Sequence, residues 1–360
     1  MDNIKIGDKT IGENHPVFII AEAGVNHNGD FELAKKLIDV AKEAGADAVK
    51  FQTFKAENLV TKNTEMAKYQ EENTGKKETM HDMIKKLEIS YDDFQKLKSY
   101  CDEKKIMFLS TPHSEDAIDF LDPLMPAFKI GSGDLTNFPF LEKIAQKGKP
   151  IILSTGMAVM DEVIEAVDLI KKTGNDKIIL LHCTSNYPCP IEGVNLKAMQ
   201  TIKEKTGLLV GYSDHTIRLE ASKLAASLGA VVIERHFTVD KNLPGPDHKA
   251  SLSPEELKEL VNAIRNKDYD IPKDKKEIML GSPEKKPTKE EIEIAKVARK
   301  SIVANVDIPE GATITRDMLI IKRPGTGIPS KYLNEVIGKK AKDMIKEDTL
   351  FPKNYINKEI

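Results

Sequence analysis

The chain has 360 residues, with 54 Lys plus Arg against 57 Asp plus Glu and a formal net charge of −3. That balance offers no basic excess for nucleic acid, and no apolar run approaches the roughly eighteen residues of a membrane span. At about 150 residues per domain the length predicts two domains, large enough to bury a core without help from three cysteines that contain no CxxC pair. The opening MDNIKIGDKTIGENHPVF has neither a continuous apolar core nor a small-residue cleavage site, so the chain reads as cytoplasmic.

IKIGDKTIG reads as a short hairpin about a Gly-Asp turn. Eight compact apolar runs follow, at 17–24, 48–54, 106–112, 127–133, 151–156, 178–184, 208–214 and 231–237. Each ends in Gly or polar residues, as expected of strands buried on both faces. Helical-period segments such as FELAKKLIDVAKEAG and MDEVIEAVDLIKKTG lie between them. Eight β-then-α units predict an α/β fold, a (β/α)₈ TIM barrel, which with the hairpin spans residues 1–266. An open doubly wound sheet is the alternative, but its GxGxxG fingerprint is absent. The long interval 54–106 holds a polar excursion that is either a lid over the barrel mouth or a surface loop. Residues 267–297 are rich in Lys, Glu and Pro and read as a linker. Residues 298–360 predict a small β-rich domain that needs something to pack on.

The C-terminal strand ends of a barrel form its active face. Here they carry Glu22, Lys50, Gln52, Thr111, His113, Lys129, Ser132, Asp134, Ser154, His182, Ser185, Tyr187, Ser213, His215, Glu234 and His236. Six of the eight histidines, at 27, 113, 182, 215, 236 and 248, fall on strand ends or in the loops after them. His215 and His236 close neighbouring strands about 5 Å apart, so they either share a divalent ion of the Mn, Fe, Co or Zn type or serve a polar network. Lys50 and Lys129 either snorkel from the core edge or converge with Ser132, Ser154 and Ser213 on a phosphate or carboxylate. Glu22 closes an apolar run, where an unpaired carboxylate is costly; it needs a substrate hydroxyl, a metal or a cation, and Lys50 is the structural option. Cys183 reads as core.

The stretches IIAEAGVNHNGD, AVKFQTFKAENLV, FKIGSGDLTN, ILSTGMAVMDEV, LLHCTSNYP, GYSDHT and ERHFTVDKNLPGPDHKAS together resemble the sialic acid synthase family. RKSIVANVDIPEGATITRDMLIIKRPGTGI resembles that family's C-terminal antifreeze-like (SAF) domain. The resemblance covers essentially the whole chain. It implies condensation of phosphoenolpyruvate with an N-acetylated hexose to a nine-carbon 2-keto sugar acid and phosphate. N-acetylmannosamine, giving N-acetylneuraminate, is the first reading. The alternative is N,N'-diacetyllegionaminate made from 2,4-diacetamido-2,4,6-trideoxymannose. The resemblance implies a divalent metal on His215 and His236, Mn²⁺ first, with Mg²⁺ or Co²⁺ as alternatives. It implies that Lys50, Lys129, Ser132, Ser154 and Ser213 hold phosphoenolpyruvate, with Ser185 at a further phosphate contact. Glu22, Gln52, Thr111, Asp134, Tyr187 and Asp247 would meet the sugar, with Glu22 as the acid–base group. It also implies a domain-swapped homodimer in which Arg323 of one subunit reaches the N-acetyl group bound by the other. Three positions depart from the family pattern: GSGD stands for GSGE at Asp134, STPH for STPF at His113, and Ser185 for an Asn. Other classes are a Schiff-base aldolase using Lys50 or Lys129, and a non-enzymatic carbohydrate-binding module.

Overall fold

A computed structural model describes residues 3–356, so the outermost ends of both expected domains, 1–2 and 357–360, lie outside the described residues. The hairpin forms as read: β1 (Ile4–Ile6) pairs antiparallel with β2 (Lys9–Ile11). Ile4, Ile6 and Ile11 are buried, and the Gly7 turn lies against Met107 and Pro126, at the N-terminal strand ends. The hairpin therefore plugs the barrel end opposite the active face.

All eight apolar runs are parallel strands. They are β3 (Phe18–Gly24), β4 (Ala48–Thr53), β5 (Met107–Pro112), β6 (Phe128–Ile130), β7 (Ile151–Ser154), β8 (Ile178–Cys183), β9 (Leu209–Asp214) and β10 (Val232–His236). Their order is β5-β4-β3-β10-β9-β8-β7-β6, with β5 and β6 side by side at the seam. This is the expected (β/α)₈ barrel. Nearly every strand residue is buried, because helices cover the outside while side chains fill the inside. The helix Phe31–Ala44 shows how the outer layer is specified. Asp30 caps it by accepting from the Leu33 N–H, Ala34, Leu37, Ile38 and Ala41 bury one stripe, and Gly45 ends it at φ 82°.

The 54–106 interval carries the short helices Ala56–Leu59, Lys68–Thr74 and Met80–Lys85 before Tyr91–Lys104. Leu59, Met80, Met83 and Ile84 pack with Val25 and Phe54 into a separate apolar cluster. Several of these residues line the cavity at the mouth, so the excursion is a cover and not a plain loop.

The segment expected to be a structureless linker differs. It contains the helices Lys273–Leu280 and Lys289–Ala298. Thr288 and Glu291 form a capping box that starts the second. Beyond it, β11 (Ser301–Ala304) pairs antiparallel with β12 (Leu319–Lys322) around a small core including Ile302, Ile308, Ile314 and Val336. This cap sits on the mouth cover. The Arg323 N–H donates to the Leu59 carbonyl at 2.9 Å, and the Thr61 N–H donates to the Arg323 carbonyl at 3.0 Å. Among the described residues no helix is long and apolar enough to cross a membrane.

Candidate active site

Alternation along a strand decides which side chains enter the barrel. On β4 it sends Lys50 and Gln52 inward, and on β10 Glu234 and His236. The registers place His236 beside Glu22, Glu22 beside Lys50, and Glu234 beside Ser213. A layer of charged groups forms above the apolar barrel core. Lys50 Nζ lies 2.7 Å from Glu22 Oε2 and 3.6 Å from Glu234 Oε2, and donates to Thr111 Oγ1 at 3.1 Å. Lys129 Nζ donates to Ser154 Oγ at 2.8 Å and lies 3.4 Å from Glu234 Oε1. Ser213 Oγ donates to Glu234 at 3.0 Å, and Gln52 Nε2 to Glu22 at 3.1 Å.

All four charges are buried, which sets their titration. Burial pushes Glu22 up, beyond what Lys50 recovers, and the neighbouring Glu234 adds to the rise. Burial opposes ionisation of Glu234 too, but Lys129 and Lys50 together hold it at about 2. Of the two carboxylates Glu22 is thus the one that keeps a proton more readily, as an acid–base group must. The two carboxylates keep Lys50 charged against its burial. Burial lowers Lys129, whose nearest carboxylate oxygen, on Glu234, stands at 3.4 Å with no second carboxylate as close as Glu22 is to Lys50.

The His215 and His236 rings stand 5.5 Å apart. His215 Nδ1 donates to the Thr184 carbonyl at 2.8 Å, which leaves Nε2 as its free lone pair. Burial first, and then His215 and Lys50 beside it, hold the His236 pKa well below the ordinary imidazole value, and its buried Nδ1 has no hydrogen-bond partner. Among the described residues no group of three or more His, Cys, Asp or Glu forms a ready metal cage. Two imidazoles with open positions beside them fit a catalytic divalent ion better than a structural one.

Of the residues expected to meet the sugar, Tyr187 has its ring 4.1 Å from that of His215 and 5.2 Å from that of Tyr69. Asp247 lies 3.9 Å from His236 Nδ1 and is pushed up to about 6, by burial first and then by Glu22. Arg323 enters from the cap, with Nη1 3.9 Å from Met80 Sδ and a buried Nε without a partner. The resemblance implied that this arginine comes from a second subunit; within the single chain, the chain's own Arg323 lines the mouth of its own barrel.

Every residue expected at the site lines one cavity: Glu22, Lys50, Gln52, Thr111, Lys129, Ser132, Asp134, Ser154, Ser185, Tyr187, Ser213, His215, His236, Asp247 and Arg323. Two differ in their surroundings. Asp134 is taken up by Lys300 of the cap, 2.8 Å from Oδ1, in a pair almost wholly buried. Ser185 turns its backbone N–H to Glu291, at 2.8 Å.

Other expectations need correction. The histidine cluster is smaller than it reads in the sequence. His27 accepts from the Gly29 N–H, His182 bonds the Val194 carbonyl, and His248 bonds Thr238, so only His113, His215 and His236 line the cavity. Cys183 is not simple core. It lines the cavity with Sγ 3.8 Å from His215 Nδ1. Tyr69 and Lys300 carry no signal in the sequence, and Glu234 was read on the active face without a role. For Glu234 the clue was there, since it lies two residues before His236 on the same strand face.

A (β/α)₈ barrel with paired lysines and carboxylates at its mouth, under a small β-rich cap, has the architecture of the sialic acid synthases. The chain belongs to the NeuB family: that family's model matches residues 37–276, and the SAF domain model matches residues 299–356. The chain is 49 % identical over 337 residues to the N,N'-diacetyllegionaminic acid synthase of Legionella pneumophila, covering 92 % of both chains. It is 39 % identical over 341 residues to the human N-acetylneuraminate-9-phosphate synthase, covering 94 % of this chain and 92 % of that one. The solved structure of the spore coat polysaccharide biosynthesis protein SpsE from Bacillus subtilis matches with a TM-score of 0.83 at 36 % identity, over 99 % of this chain and all of that one.

Proposed function

We propose that this chain condenses phosphoenolpyruvate with 2,4-diacetamido-2,4,6-trideoxymannose, forming N,N'-diacetyllegionaminic acid and phosphate. The observation that carries the reaction is the placement of Lys50, Lys129, Ser154 and Ser213 around one buried pocket, next to Glu22 and two imidazoles. The similarity to the Legionella synthase supports the particular sugar, as does the apolar side of the mouth. Phe54, Leu59, Met83, Ile84 and Leu87 line that side, which suits a 6-deoxy carbon and acetamido methyls and leaves a hydroxyl there without a partner.

The lysines and serines hold the phosphate and carboxylate by charge-assisted bonds, so much of the work is positioning and electrostatics. C3 of phosphoenolpyruvate attacks the sugar aldehyde, the cation formed at C2 takes a water, and the tetrahedral intermediate expels phosphate. Glu22 is placed to move the proton between water and the aldehyde oxygen. A divalent ion on His215 and His236, Mn²⁺ first, would supply Lewis acidity toward a carbonyl. Lys50, kept protonated between two carboxylates, does not present the free amine of a Schiff-base aldolase.

A homodimer exchanging caps would rebuild the same mouth from the same residues. Mixing His236→Ala with Arg323→Ala chains, each inactive alone, restores activity only in that arrangement. The sugar assignment is tested by comparing kcat/KM for the diacetamido sugar and N-acetylmannosamine at saturating phosphoenolpyruvate. Preference for the first supports it, and preference for N-acetylmannosamine moves the chain to the N-acetylneuraminate branch.

A further inference from the structure

Met157 closes the segment Ser154-Thr155-Gly156-Met157 after β7, at φ 59°. Residues with a side chain enter this left-handed region at a cost and stay there only when their surroundings hold them. Both polar backbone groups of Met157 are held from outside the barrel. Its N–H donates to Glu291 Oε1 at 2.7 Å, and its carbonyl accepts from Arg299 Nη2 at 2.8 Å. Arg299 is itself fixed by both oxygens of Glu162, at 2.7 and 2.8 Å.

Glu291 Oε1 also accepts the Ser185 N–H at 2.8 Å, on the segment after β8. Its Oε2 accepts the Thr288 N–H at 2.9 Å, capping the helix 289–298. One carboxylate, 1 % exposed, thus joins three chain segments. Between them is Gly156, whose N–H donates to Ser132 Oγ at 3.0 Å. A Cβ on Gly156 would fall 2.7 Å from Ser132 Oγ and closer still to Ser185 Oγ. The hydroxyls at 132 and 185 therefore crowd the backbone at Gly156 and leave no room for a side chain there.

We propose that Glu291 is a positioning residue for the phosphoenolpyruvate site, setting the backbone of 154–157 and 183–185 from the linker helix. Because that helix runs directly into Arg299 and the cap, seating the cap and completing the anion pocket are one event. This rests on the phosphoenolpyruvate reading above.

The test compares Glu291→Ala and Glu291→Gln with the wild-type chain. Glu291→Ala is expected to raise KM for phosphoenolpyruvate by about tenfold or more while leaving KM for the sugar nearly unchanged, as loss of a charge-assisted acceptor predicts. Glu291→Gln keeps an acceptor oxygen without the charge and should fall between the two. Adding Met157→Gly to Glu291→Ala should recover part of the loss, since glycine adopts the left-handed region freely. Amide hydrogen exchange over peptides containing Met157 and Ser185 should quicken in both single variants. If Glu291→Ala does not fold, Glu291→Gln and its exchange carry the test.

Unchanged exchange, or phosphoenolpyruvate KM values that match wild type, would overturn the proposal. So would a rise in sugar KM as large as that for phosphoenolpyruvate. Faster exchange in a chain that never turns over phosphoenolpyruvate would instead keep the clamp and overturn the reading of the site.

Discussion

Replacing Lys129 by Met keeps the length and apolar stem of the side chain and removes one charge. The charged layer then holds Lys50 against two carboxylates, Glu22 and Glu234, where it had been balanced. Lys129 is the freer of the two cations, since its nearest carboxylate oxygen is at 3.4 Å while Lys50 has one at 2.7 Å. A hydrogen bond to a charged group contributes about 1.5–3 kcal/mol, so KM for phosphoenolpyruvate should rise about 10- to 150-fold. The new negative excess favours the upper part of that range. The sugar KM should change far less. The assay is phosphate release with phosphoenolpyruvate varied at saturating sugar.

The pH profile gives an independent reading. Burial lowers the Lys129 pKa from 10.5, so its charge is lost as pH rises through that lowered value. The wild-type kcat/KM for phosphoenolpyruvate should therefore fall on an alkaline limb below 10.5, and Lys129→Met should lack that limb. A variant with unchanged phosphoenolpyruvate KM, or with equal losses for both substrates, would refute the reasoning.

Four further outcomes are expected. His215→Ala or His236→Ala should abolish turnover and lower bound divalent metal measured on the purified protein, while the melting temperature stays near wild type. Lys300→Met leaves Asp134 charged and buried, which should cost about 3–5 kcal/mol in urea unfolding; adding Asp134→Asn should return part of it. The kcat/KM for the sugar should fall as pH drops through about 6, where Asp247 takes up its proton, and Asp247→Asn should remove that acid limb. Both nitrogens of His113 are buried at the mouth without a hydrogen bond, Nδ1 standing 3.9 Å from Asp134, so His113→Phe should weaken the diacetamido sugar relative to N-acetylmannosamine and leave phosphoenolpyruvate KM unchanged.

The barrel was legible because its strands are buried on both faces and read as short apolar runs. The same property hid the facing of side chains. IILLHC is apolar at both alternating sets of positions, so nothing in it tells that Cys183 enters the cavity while His182 turns out to the Val194 carbonyl. Glu234 was legible through the two-residue period it shares with His236, but its partners Lys50 and Lys129 lie on strands distant in the chain. The T-x-x-E cap of the helix 289–298 is a local signal. What Glu291 grips is not, since Met157 and Ser185 are 134 and 106 residues away. The pair between Lys300 and Asp134 spans 166 residues and depends on how the cap docks. In composition, Lys285 and Glu291 looked like solvated charges of a linker, yet both are buried.

Attack by C3 of phosphoenolpyruvate predicts departure of the intact phosphate, carrying its bridging oxygen. The direct measurement uses phosphoenolpyruvate labelled with ¹⁸O in the C–O–P bridge, incubated with the protein, a divalent metal and the diacetamido sugar. The prediction is phosphate release that requires both substrates, with the label in the phosphate and a product of the mass of N,N'-diacetyllegionaminic acid. Label-free phosphate, or phosphate released at the same rate without the sugar, would contradict it.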